Sequence, residues 1–74
     1  MKDIRTRYLI GNEFLYEGMP LYLPPEMFEA TLIAIDVTIK SLPVFIVKRA
    51  DGTYEKMKRG EFMTASEYSR QSSV

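Results

Sequence analysis

The chain has 74 residues, 46% of them apolar and 27% charged, with ten basic and ten acidic side chains and neither histidine nor cysteine. That composition belongs to one small globular domain spanning residues 1–74 and is unlike a disordered chain. It removes the ligands that dominate zinc sites and the parts of a Ser-His-Asp or Cys-His arrangement, and it leaves no side chain that ordinarily titrates near neutrality.

Residues Ile4 to Ile10 read as a first strand, with Arg5 and Arg7 alternating against apolar positions. Gly11-Asn12 is a turn pair of the two-residue hairpin type, and Glu13 to Tyr16 is the returning strand. Glu17-Gly18 marks a second turn and Met19 to Leu23 a further short extended piece, which Pro24-Pro25 stops because proline cannot donate to a ladder.

Glu26 to Ile39 supports two readings. As a strand it alternates strictly, with Ile33, Ile35, Val37 and Ile39 on one face and Ala34, Asp36 and Thr38 on the other. As a helix, Pro25 takes the first helical position, Glu26 and Glu29 suit the N-terminal dipole, and Phe28, Leu32 and Ile35 share a face. The strand is preferred because β-branched residues dominate. The alternative is an α+β fold with a helix at 25–35 packed on a sheet.

Lys40-Ser41-Leu42-Pro43 is a turn, and Val44 to Arg59 is a hairpin about Asp51-Gly52. Asp-Gly suits a two-residue type I′ loop. That loop places Arg49 opposite Tyr54, Lys48 opposite Glu55 and Ile46 opposite Met57. One face then carries Val44, Ile46 and Met57, and the other Phe45, Val47, Arg49, Tyr54, Lys56 and Lys58. Gly60 ends the hairpin. Thr64 and Glu67 fit a capping box, with Met63 and Tyr68 placed as a hydrophobic staple, so a short helix is expected from about Ala65 to Gln71, with residues 71–74 a frayed tail.

EATLIAID (Glu29–Asp36), PVFIVKRADG (Pro43–Gly52) and YEKMKRGEF (Tyr54–Phe62) come in an order that resembles SH3-like small barrels, Tudor-like and KOW-like domains in particular. The resemblance implies a mainly β fold, a small barrel of about five strands with a short C-terminal helix, and a single 3₁₀ turn at Gly60-Glu61-Phe62. It implies no ligand. Compact chains of this kind, without a diagnostic motif, are also common among phage and mobile-element genes.

Two surfaces carry functional expectations. The hairpin face joins basic and aromatic side chains, so Arg49, Tyr54, Lys56, Lys58 and Arg59 are candidates for stacking on bases and meeting phosphates. Residues 37–59 hold six basic and two acidic groups, a net +4, whereas residues 1–36 hold three basic and six acidic, a net −3. The overall neutrality opposes avid nucleic-acid binding. The second surface is Met19 to Phe28, where Met19, Leu21, Tyr22, Met27 and Phe28 offer the methionine and aromatic area that suits protein recognition. Each set also has a plainer role, as core or as lysine stems lying over core.

The opening MKDIRTRYLI lacks an apolar stretch of the length a secretory leader needs, and no run approaches a membrane span. The expectation is therefore a cytoplasmic, non-enzymatic binding or adaptor protein that contacts a protein partner or itself. Nucleic acid is the alternative ligand, and no cofactor, metal or membrane is expected.

Overall fold

A computed structural model of the chain describes residues 4–5, 7–10, 13–39 and 41–72. Among these residues, eight strands appear in chain order: β1 (Ile4–Arg5), β2 (Arg7–Ile10), β3 (Glu13–Tyr16), β4 (Pro20–Leu23), β5 (Phe28–Asp36), β6 (Val44–Arg49), β7 (Tyr54–Met57) and β8 (Met63–Thr64). A 3₁₀ turn, Arg59–Glu61, links β7 to β8, and helix α1 (Ala65–Ser72) follows. The fold is mainly β with a short C-terminal helix.

All pairing is antiparallel. The main sheet runs β7-β6-β5-β4-β8, with β1 on β5, while β2 and β3 form a separate two-stranded ribbon. No ladder joins β8 to β7 among the described residues, so the sheet stays open where a closed barrel was expected. The nine-residue β5 organises the rest. One edge takes β6; the other takes β4 at Phe28–Thr31 and β1 at Ile35–Asp36. Pairing along both edges excludes the helix reading of 25–35.

The register on β6 shifts between Leu32 and Ala34, which makes Ile33 the extra residue of a bulge. The shift re-phases the strand. Ala30 and Leu32 point inward before it, and Ile35 and Val37 are buried after it. The shared face expected for Ile33, Ile35, Val37 and Ile39 is therefore divided: Ile35 and Val37 are core, Ile33 is only half-buried, and Ile39 is 60% exposed in the loop beyond the strand.

The turns follow their residues. Gly18, at φ +90°, lets Tyr16–Met19 close with a Met19 N–H bond to the Tyr16 carbonyl at 3.1 Å. Gly18 N–H and Leu32 N–H then extend the β4–β5 pairing past Pro20, donating to the Leu32 and Met19 carbonyls at 2.7 and 3.0 Å. Residues 24–27 connect β4 to β5, with a cis Pro24–Pro25 bond, Met27 at φ +62° and Met27 N–H bonded to the Leu23 carbonyl. Ile10 pairs with Glu13; the Gly11-Asn12 turn expected between them lies outside the described residues. Lys40 also lies outside them; the turn it was expected to begin has Leu42 N–H bonded to the Ile39 carbonyl.

The core gathers Leu15 from the ribbon, Met19, Leu21 and Leu23, Ala30, Leu32, Ile35 and Val37, Phe45 and Val47, Met57 and Phe62. Phe62, delivered by the 3₁₀ turn, meets Phe45 edge-on with centroids 5.0 Å apart. That turn spans Arg59–Glu61, one residue earlier than expected, and Lys58 N–H donates to Glu61 Oε1 at 2.7 Å.

The capping box forms. Thr64 N–H donates to Glu67 Oε1 at 3.0 Å, and Glu67 N–H donates to Thr64 Oγ1 at 3.2 Å. Tyr68 lies with its ring centroid 4.6 Å from that of Tyr22, which seats α1 against β4. The helix runs to Ser72, close to the Ala65–Gln71 span expected; residues 73–74 lie outside the described ones.

Candidate functional site

The Val44–Arg59 hairpin has a different register from the one Asp-Gly suggests. Phe45 pairs with Met57, Ile46 with Lys56, Val47 with Glu55 and Lys48 with Tyr54. Gly52 N–H donates to the Arg49 carbonyl at 2.9 Å, and Arg49 N–H to the Thr53 carbonyl at 2.8 Å. Gly52 sits at φ +92°. The loop is thus three residues, Ala50-Asp51-Gly52, with glycine in the left-handed position, the second common way a hairpin uses such a glycine. Asp51 braces it by accepting from Thr53 N–H at 3.0 Å and Thr53 Oγ1 at 2.7 Å. Those bonds from Thr53, the hydroxyl's foremost, hold the exposed Asp51 carboxyl below its ordinary value.

One residue of slip moves every β7 side chain to the opposite face. Met57 joins Phe45 and Val47 in the core, while Tyr54 and Lys56 share the outer face with Ile46 and Lys48. The expected basic and aromatic set is therefore divided. Arg49 does not stack on Tyr54; its guanidinium pairs with Glu55 at 2.5–2.6 Å. Arg59 pairs with Glu67 at 3.0 Å and lies over the Phe62 ring at 5.1 Å. Burial works to raise the Glu67 carboxyl. The Thr64 N–H bond and the Arg59 guanidinium outweigh it, so Glu67 stays below its ordinary value. Tyr54 is 63% exposed, and its cationic neighbour is Lys48, with Nζ 5.9 Å from the ring centroid. Lys56 and Lys58 are exposed. Three lysines and one tyrosine thus remain on the outer face, and both arginines are held by glutamates.

The Met19–Phe28 segment also divides. Met19 and Leu21 are buried and belong to the core, not to a contact surface. Tyr22 is half-buried beside Tyr68, Met27 is half-buried in its turn, and Phe28 alone of the five is widely exposed. Glu26 and Glu29 are both exposed, in keeping with a solvated edge.

A further apolar display lies on the β2–β3 ribbon. Its pairs are Arg7–Tyr16, Tyr8–Leu15 and Leu9–Phe14. Leu15 is fully buried and Tyr8 packs on the core, so the alternate positions point away from the body. Leu9, Phe14 and Tyr16 are 61%, 50% and 46% exposed. A groove bordered by Arg7, Phe14, Tyr16 and Glu17 runs beside them. Sequence reasoning passed over this face because RYLI and EFLY are apolar at both parities, which leaves alternation nothing to select.

Among the described residues no cluster of three or more Asp, Glu, His or Cys side chains could hold a metal ion, and no helix is long and apolar enough to cross a membrane. Comparison with known proteins finds no matching family model, no matching curated protein and no matching solved structure.

Proposed function

We propose that this chain is a small non-enzymatic cytoplasmic binding or adaptor protein acting through protein contacts, with the outer face of the β2–β3 ribbon as its principal surface. One observation carries the reading: Leu9 and Phe14 form a cross-strand pair beside Tyr16, all on the solvent side of a ribbon whose other side is anchored by Leu15. Aromatic and aliphatic side chains held on strands give contact area at small entropic cost. Phe28 adds a second, separate apolar point. The order of β5, loop, β6, Gly52 loop, β7 and 3₁₀ turn supports grouping the fold with SH3-like domains. Affinity capture with the wild type, Phe14→Ser and Phe28→Ser tests the reading. Loss of a bound protein with Phe14→Ser, the fold being intact by circular dichroism, is the expected result. Capture indifferent to Phe14 would refute it.

A second reading has its own observation. Tyr54 is exposed, with Lys48 beside its ring and Lys56 and Lys58 exposed on the same hairpin, an arrangement that suits a stacked base and adjoining phosphates of single-stranded nucleic acid. Binding by this face would weaken steeply with salt and fail in a Lys56→Glu, Lys58→Glu variant.

A further inference from the structure

We propose that the occupant of the ribbon face is the same face of a second copy of this chain, an inference that rests on the protein-contact reading above. The face is self-complementary. Arg7 lies directly opposite Tyr16, Leu9 directly opposite Phe14, and Glu17 continues from Tyr16 at the root of the ribbon. Consider two such ribbons laid face to face about a two-fold axis parallel to their strands. The β3 strand of each copy then covers the β2 strand of the other. Leu9 meets Phe14 of the second copy, and Arg7 meets Tyr16 and Glu17 of the second copy. Leu9 and Phe14 each find an apolar partner, and Arg7 finds the Tyr16 ring and the Glu17 carboxylate. A two-fold interface needs both halves of every interaction on a single patch, and here both charges border one groove.

Two further features are compatible with that arrangement. Net charge is zero, so no overall repulsion opposes self-association. Among the described residues the ribbon pairs with no strand of the main sheet, and its outer side carries Leu9, Phe14 and Tyr16 uncovered by the body, as a second layer would need. The patch rests on four ribbon side chains and Glu17, well below the roughly 800 Å² per partner of a standard stable interface. The dimer is therefore weak and concentration-dependent.

Sedimentation equilibrium of the pure chain between about 10 μM and 1 mM tests this, in the range where weak interfaces dissociate. The weight-average mass should rise from one toward two chain masses. Phe14→Ser should weaken dimerisation at least about tenfold, as loss of a central aromatic anchor does. Tyr54→Ser, on the β6–β7 hairpin, should leave it unchanged. Arg7→Glu and Glu17→Arg should each weaken it, and the double exchange should restore it. A wild type that stays monomeric at about 1 mM, a dimer indifferent to Phe14→Ser, or a double exchange without recovery would each overturn the proposal. A monomer that still captures another protein through Phe14 would overturn the second copy as occupant and leave the protein-contact reading standing.

Discussion

Leu9 and Leu15 sit on opposite faces of one ribbon and should answer very differently to the same truncation. Leu15 has no exposed surface and is the one fully buried side chain among the ribbon's described ones, with half-buried Tyr8 opposite it as a second hold on the body. Leu15→Ala removes the buried leucine atoms and leaves a cavity, a change that costs about 2–5 kcal/mol. A domain of 74 residues has a total stability of about 4–11 kcal/mol, so the loss is a large share of the whole. Leu9→Ala removes atoms already 61% exposed and should stay within about 0.5 kcal/mol. Urea unfolding gives both numbers, and native-state hydrogen exchange locates the effect. In Leu15→Ala the amides of β2 and β3 should lose protection before those of β5 and β6, because the ribbon loses its anchor while the central ladder keeps its bonds. Equal costs at the two positions, or uniform loss of protection across the sheet, would refute the assignment of faces.

Three other predictions concern the turns and the cap. Gly52→Ala should cost about 1 kcal/mol from its left-handed backbone alone, since nothing lies within 4 Å of the added carbon, whereas Gly60→Ala should be close to neutral; chemical denaturation of both separates backbone strain from crowding. Glu67→Ala should cost about 1 kcal/mol at neutral pH through loss of the cap. Because the folded Glu67 carboxyl lies below its ordinary value of 4.5, that stabilisation is present above pH 4.5 and disappears as pH falls through the lowered value, so wild type and variant should converge in acid. A double-mutant cycle on Arg49 and Glu55 should give a salt-sensitive coupling of about 0.2–1 kcal/mol, and a cycle on Arg49 and Tyr54 none; the reverse would restore the two-residue loop.

The legible parts of the fold are those fixed by local chemistry. Thr64 and Glu67 have one good use for their side chains at that spacing, and they make it. The β-branched run through Ile33–Val37 tips the two readings of its segment toward a strand, and it lies in or just beyond β5. Asp51-Gly52 announces a hairpin but fits both a two-residue loop and a three-residue loop with glycine left-handed. Only the packing of Met57 against Phe45 and Val47 decides, and that contact is tertiary. The bulge at Ile33 is invisible for the same reason, because it exists to re-phase β5 against β6. The Met19–Leu23 segment looks like a recognition surface by composition, yet a domain this small needs those side chains for its core. The loop and the core each moved candidate residues: Arg49 to Glu55 and Tyr54 to the outer face, Met19 and Leu21 to the interior.

The most direct test of the ribbon surface is photo-crosslinking in cells from a benzoylphenylalanine placed at position 14 and, separately, at position 54. The account predicts a discrete protein adduct from position 14, with this chain itself as the attached partner, and none from position 54. Adducts to nucleic acid from position 54, with none from position 14, would contradict it.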